Sequence, residues 1–483
     1  MKKTTMAGIV GALVTAVAVN RVAMAEGKPA EKQPTEKQPT EKQPTEEQPD
    51  TLVARMAPSP GGGLTSEQVS TRAQETSFDA AARRQALASA DARLDQAKVA
   101  YYPRLTLTAS YTRISEMSQT LSFAGQTIVF PLNRILFQAG MTIPVSDYVL
   151  RLSQSYAAAS RNQRAAQLDQ QAAKLKAGTD GKLAYYRWLR AKGQLIVAER
   201  ALAQSKAHLD DANYSFEAGT ASKADVLRVE SQVATAEVVV AQAQNVLSLN
   251  EEQIRTAMHD ASTEPYKVGE DLRIDPPPVP GLDNLEALRA EALEQRLEVR
   301  ALDETAWSFR EQAKVARAGY YPRLDVFGNA IYANPNPRVF IPANDFRPSW
   351  EAGAQLVWTP NDTLNAGGAS ADAEARAAQT QAQRQLLRDS VGLEVVEAFN
   401  SMREAEITLG TTARGLRAAE EGYRVRRELF RNGRATSVEL TDSEVELFRA
   451  SLEAINARAN LRSARASLLH AVGRDIPSVM AKR

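Results

Sequence analysis

Apolar residues fall into two rhythms along this chain, one of seven residues and one of two. Beyond Gly219, Val226, Val233, Val240, Leu247 and Ile254 recur at strict intervals of seven, and beyond Gly433, Leu440, Leu447, Leu461 and Leu468 keep the same spacing with Ala454 filling the gap. A sustained seven-residue repeat imposes a left-handed supercoil on partner helices, so each stretch predicts one arm of a coiled coil. The partner arms are the long helix-forming stretches at about 148–213 and 364–428, and each pair turns at its glycine. Alternation takes over after Pro103, where Leu105, Leu107, Ala109 and Tyr111 oppose Thr106, Thr108, Ser110 and Thr112. That pattern predicts a strand with one apolar and one hydroxyl face. Phe137 to Ile143, Leu324 to Tyr332 and Trp350 to Trp358 alternate likewise, which makes four strands. Their connections, at about 114–136 and 333–349, are long.

The same landmarks occur twice. Ala97 to Leu105 contains Tyr101-Tyr102-Pro103-Arg104-Leu105, which returns as Tyr320-Tyr321-Pro322-Arg323-Leu324, and Phe216 to Ser222 returns as Phe430 to Thr436. The prolines lie 219 positions apart and the glycines 214, so two landmarks move together and in order. This is an internal duplication. Each repeat opens with a helix, at about 65–99 and 284–317, which runs into the Tyr-Tyr-Pro where proline stops it. Repeat boundaries of 64–275 and 284–473 follow, with Pro276-Pro277-Pro278 in the connecting segment 276–283 and a tail at 474–483.

The N-terminal region reads differently. Lys2 and Lys3 precede an apolar run from Met6 to Val19, and Ala23-Met24-Ala25 offers the small residues of a processing site, so 1–25 reads as a secretory signal peptide. Its fourteen apolar positions fall short of a membrane-spanning helix, which needs about 20. Residues 26–63 carry Glu-Lys-Gln-Pro-Thr repeats and a triple glycine, a composition that cannot bury a core and predicts a solvated linker. No later stretch is apolar enough for a transmembrane helix, so entry into a membrane would have to use strands.

Charge and residue usage narrow the chemistry. With 59 basic and 58 acidic residues the chain has no excess with which to track a nucleic-acid backbone. The absence of cysteine removes disulfides, thiolate metal sites, thiol catalysis and a lipidated N-terminal cysteine. The three histidines, His208, His259 and His470, each stand alone in Ala/Leu-rich helical sequence and are expected to be solvated or packed helix residues, not metal ligands or catalysts. No nucleophile motif, phosphate loop or His/Asp/Glu cluster appears. The reading is therefore of a non-enzyme with no cofactor and no metal.

A strand with one apolar face also fits a soluble sheet. Here four such strands gather Tyr101, Tyr102, Tyr111, Tyr320, Tyr321, Tyr332, Trp350 and Trp358 at or near their ends, as a membrane interface requires. Four strands cannot close a barrel, so a spanning chain must oligomerise. The alternative is a secreted or periplasmic coiled-coil scaffold whose strands form a small soluble sheet.

A signal peptide followed by two repeats of helix, Tyr-Tyr-Pro-x-Leu, two strands and a long hairpin, with a glycine at the hairpin tip before Asp225-Val226-Leu227, resembles the TolC-like outer-membrane efflux family over about 65–473. The resemblance implies a mainly α chain with a membrane β-part. It implies homotrimers in which each subunit gives four strands to a twelve-stranded outer-membrane barrel and its helices to a periplasmic α-barrel. It also implies a passive exit channel of a tripartite efflux or type I secretion system, fed by an inner-membrane pump through a periplasmic adaptor. Carried over residue by residue, it makes Arg434 and Asp225 a candidate latch, and Glu439 and Asp442 candidate acids at the periplasmic aperture. Glu439 stands where the best-known members have aspartate. Gly219, Thr220, Ala221 and Ser222 on the first tip, with Gly433, Ala435, Thr436 and Ser437 on the second, become the candidate adaptor-docking residues.

Overall fold

A computed structural model of the chain describes residues 62–115, 121–123, 126–128, 131–272, 274, 279–339 and 343–475. Contacts divide the chain into Met1–Pro49 and Asp50–Arg483, and all described residues lie in the second unit. The signal peptide, nearly all of the Pro-rich linker and the triple proline lie outside the described residues.

The first repeat starts with α1 (Ser66–Thr76) and α2 (Phe78–Val99), where the sequence predicts one helix. Ser77 makes the break, its hydroxyl accepting from the Ala80 amide at 3.3 Å to cap α2. The second repeat breaks in the same way, between α5 (Leu285–Gln295) and α6 (Leu297–Arg317), at Arg296. Ser77 and Arg296 lie 219 positions apart, the offset of the two prolines, so the duplication includes the break. Arg296 is buried because its guanidinium bonds Glu298, Glu394 (3.0 Å) and the carbonyl of Ala471.

After each Tyr-Tyr-Pro the chain becomes extended. The strands β1 (Arg104–Arg113), β4 (Asn133–Pro144), β5 (Arg323–Asn334) and β6 (Arg347–Val357) form one antiparallel sheet in the order β1-β4-β5-β6. A separate small hairpin of β2 (Leu121–Phe123) and β3 (Gln126–Ile128) occupies the loop between β1 and β4. The register aligns the apolar rows, with Leu107 opposite Ala139, Ala139 opposite Ala330 and Ala330 opposite Trp350. Gly140 admits the Asn329 side chain of the next strand, whose oxygen comes within 2.6 Å of where a Cβ would stand.

Helical hairpins follow each strand pair. From β4 the chain passes through a π-helical turn (Tyr148–Leu152) into α3 (Ser153–Glu217) and returns as α4 (Lys223–Met258). From β6 it enters α7 (Pro360–Arg431) and returns as α8 (Ser437–Val472). The seven-residue seam of α8 is buried throughout, at Leu440, Leu447, Ala454, Leu461 and Leu468. On α4, Val226, Val233 and Ile254 are buried while Val240 and Leu247 are half-buried. The two hairpins meet through α3 and α8. Two aromatic and aliphatic cores brace the middle of the long helices α3 and α7. One surrounds Tyr185, Trp188, Val69 and Ile254, and the other Leu288, Val391, Val395 and Leu468.

Candidate lipid face and hairpin tips

Among the described residues, nothing covers the apolar face of the sheet. Leu107 is 76% exposed and Trp350 77%, and Leu105, Tyr111, Phe137, Met141, Leu324, Val326, Tyr332 and Leu356 on the same face are also exposed. So continuous an apolar surface is not tolerated against water and marks a site of membrane or protein contact. The second tyrosine of each Tyr-Tyr-Pro, Tyr102 or Tyr321, is exposed where the sheet meets the helices, together with Trp358. Of the first tyrosines, Tyr101 is half-buried with its ring 6.0 Å from that of Tyr148, and Tyr320 is exposed, its hydroxyl beside Gly367 of α7. The girdle is thus drawn from part of the aromatic set that the sequence suggests.

On the opposite face the hydroxyl row of β1 is exposed as expected, but β5 departs from it. Ile331 and Ala333 are buried there, and Asp325, 2% exposed, bonds Arg323 at 3.0 Å. Further along, Glu351 accepts from Asn329 at 2.6 Å and pairs with Arg338. This face is polar and salt-bridged, with apolar patches the alternation did not foretell.

At the far end of the hairpins the two tips are built alike. Gly219 and Gly433 take φ of +76° and +67°, the left-handed region open to glycine, with nothing within 4 Å of where a Cβ would stand. The Thr220 amide bonds the Ser215 carbonyl at 2.9 Å, and the Arg434 amide bonds Leu429 at 2.8 Å, closing each helix end. Each return helix then opens with a capping box. Ser222 and Asp225 exchange bonds of 3.2 and 3.1 Å, and Thr436 and Glu439 exchange bonds of 3.3 and 2.9 Å.

Asp225 and Glu439 are therefore twins, 214 positions apart, and both carboxylates serve first as caps. The Ser222 hydroxyl and amide hold the Asp225 carboxyl below its ordinary range. For Glu439 the Thr436 amide does the same, followed by the Thr436 hydroxyl and by Arg426, whose guanidinium lies 2.8 Å away. Asp442 is exposed one turn further along α8. Asp225 has Arg228 as its cationic neighbour at 3.7 Å, and among the described residues no ion pair within the chain joins it to Arg434, which is exposed. Of the expected docking residues, Gly219, Thr220, Ser222, Gly433 and Thr436 are exposed, and Ala221 and Ala435 are half-buried. Ser437 is also half-buried and turns its hydroxyl inward, 3.3 Å from the ring of His208.

That histidine was missed as a site. It is packed, as expected, but it is not alone: Glu444 lies 3.3 Å away across 236 positions of sequence. Among the described residues no group of three or more His, Cys, Asp or Glu side chains could hold a metal ion, and no helix is long and apolar enough to cross a membrane.

A sheet with a bare apolar face, exposed aromatics along it and duplicated coiled-coil hairpins define a class: β-sheet membrane proteins that carry their sheet on a helical stalk. The family model for outer membrane efflux proteins matches residues 69–258 and 288–474, one match for each repeat, and the chain belongs to that family. It is an outer-membrane efflux channel protein, and not an enzyme. Among solved structures, the chain is similar to CmeC of Campylobacter jejuni (12% identity, TM-score 0.71, 85% of this chain and 88% of that one). It is also similar to MtrE of Neisseria gonorrhoeae in its open state (16%, 0.71, 85% and 89%) and to VceC of Vibrio cholerae (17%, 0.69, 84% and 96%). At such identities the likeness is one of fold. No curated protein sequence matches the chain.

Proposed function

We propose that three copies of this chain close a twelve-stranded barrel and form the passive outer-membrane exit channel of a tripartite efflux or type I secretion system. The observation that carries this reading is the open four-stranded sheet, whose β1 and β6 edges have no partner among the described residues while its apolar face is bare there. In lipid an unpaired strand edge leaves backbone groups unsatisfied, so copies must share edges until the sheet closes. The helices also have unpartnered faces. Leu386, Leu393 and Ile407 of α7 are exposed at intervals of seven and fourteen residues, and Val238, Val246 and Leu249 of α4 are exposed in turn. Since the hairpins meet through α3 and α8, the α7 face of one copy is free to meet the α4 face of the next.

Outer-membrane lipid contacts the sheet, a periplasmic adaptor docks at the tips around Gly219 and Gly433, and an inner-membrane pump supplies the energy. Asp442 carries the negative charge of the aperture, and Glu439 adds less because Arg426 and its own cap already engage it. Arg434 latches to Asp225 of a neighbouring copy when the mouth is shut.

The chain has no cysteine, so single cysteines report cleanly. Native mass analysis of detergent-extracted protein is expected to give three copies. Leu107→Cys should react with lipid-phase reagents and Thr108→Cys with a water-soluble maleimide. A monomer, or equal aqueous labelling of both positions, contradicts the proposal.

A further inference from the structure

Eleven residues before Gly219 and eleven after Gly433, a buried polar cluster joins all four hairpin arms. His208 comes from α3, Gln232 from α4, and Ser437, Thr441 and Glu444 from α8, while Phe430 of α7 sets its ring edge-on to the imidazole at 5.3 Å. The side chains of His208 and Glu444 are 1% and 5% exposed. Glu444 Oε2 accepts from Gln232 Nε2 at 2.9 Å and lies 3.3 Å from His208 Nδ1, and His208 Nε2 lies 3.3 Å from Ser437 Oγ. Gln232 Oε1 in turn accepts from the Thr441 hydroxyl at 3.1 Å.

These contacts are satisfied in two protonation states. With neutral histidine, Nδ1–H donates to Glu444 and Nε2 accepts from the Ser437 hydroxyl. With a second proton, Nδ1–H still donates to Glu444, Nε2–H donates to Ser437, and the hydroxyl rotates to accept. No partner is lost, but the His208 to Glu444 contact becomes a charge-assisted bond inside a low-dielectric site, about twice as strong as a neutral one. Charged neighbours at this level include two pairs more exposed than the cluster: Asp211 of α3 with Arg431 of α7 at 3.5 Å, and Lys206 of α3 with Glu237 of α4 at 3.1 Å.

The duplication shows that the cluster is not a generic feature of the hairpins. At the 214-residue offset the twin of His208 is Gly422, the twin of Gln232 is Glu446, and the twin of Glu444 is Glu230, which is exposed. A histidine thus stands only at the α3 to α8 junction, where the two hairpins of one chain meet.

We propose that His208 and Glu444 form a proton-responsive tie between the two hairpins, one that tightens when the imidazole carries its second proton. They are positioning residues: they act on the tips through the helices that carry them. The tie stands on its own geometry, while its consequence, a mouth harder to open in acid, rests on the channel reading above.

Hydrogen exchange of the full-length protein at pH 8 and 5.5, corrected for intrinsic exchange rates, tests the tie without requiring pores. In the wild type, segments 200–217 and 437–450 should gain about fivefold protection in acid, the factor that roughly 1 kcal/mol confers, relative to segment 160–180. In His208→Gln and in Glu444→Gln that gain should vanish, and either variant that folds suffices. The same acid-induced gain in both variants, or none in the wild type, overturns the proposal. In planar bilayers the wild type should open less often at pH 5.5 than at pH 8, and His208→Gln should lose that difference. Exchange as expected from a trimer that makes no pores would keep the tie and sink the channel reading.

Discussion

At the residue scale, the tips show how one side chain serves a fold before it serves a function. The pattern Ser222-x-x-Asp225 and Thr436-x-x-Glu439 is legible in the sequence as a pair of capping boxes, and the structure forms both. The family resemblance assigns these acids to a latch and an aperture, which separates two positions that the duplication makes equivalent. Their chemistry supports a graded prediction. Block of the pore by multivalent cations should fall more in Asp442→Ala than in Glu439→Ala, because Asp442 is exposed while Arg426 neutralises Glu439; equal effects in single-channel recordings would remove that distinction. Because capping lowers the Glu439 pKa on folding, its contribution is present above the ordinary glutamate range and disappears as pH falls through the depressed value. Fraying of the α8 start in acid, below about pH 4, should therefore follow the cap and be read as faster hydrogen exchange at residues 437–440. His208 itself shows what a sequence hides: its partners come from two other helices, α7 and α8, and no local spacing announces them.

At the element scale, periodicity carried most of the information. The seven-residue seams and the two tip glycines correspond to α4, α8 and the turns observed, because an apolar repeat and a left-handed glycine each have few structural solutions. What local pattern could not supply were the interruptions. Ser77 and Arg296 sit inside continuous helix-forming sequence, and the break at Arg296 depends on Glu394 and Ala471, which are distant in the chain. The β2 and β3 hairpin was missed because strands of three residues carry almost no alternation. Within the seam, Leu440 is 2% exposed at the first turn of α8, between Ser437 and Glu444 of the His208 cluster. Leu440→Ala should destabilise that end of the hairpin by ~2–5 kcal/mol through lost burial and an unfilled cavity, measured as lost exchange protection in α8; an unchanged profile would show that the seam there is not tightly packed.

At the scale of the whole molecule, duplication and the two-faced sheet were legible from the chain alone, because a repeated landmark and an alternating strand both survive without knowledge of the partner. Closure of the barrel is a property of the assembly, and it must be inferred from what one copy leaves unsatisfied. The lipid face makes a sharp comparison possible. Leu107→Arg puts a charge on the bare apolar face, at a cost of ~2–4 kcal/mol near the bilayer midplane, whereas Thr108→Arg puts it on the opposite face. Outer-membrane fractions should contain much less folded, heat-modifiable trimer for the first variant and near-normal amounts for the second. Equal recovery would mean that the apolar face does not meet lipid.

The central claim is that this chain, with no other subunit type, makes a conducting pore. Single-channel recording of the purified full-length protein in planar bilayers tests it most directly. Discrete, long-lived conductance steps of uniform size are expected from the trimeric fraction. Folded trimer that inserts into lipid yet passes no current would contradict it.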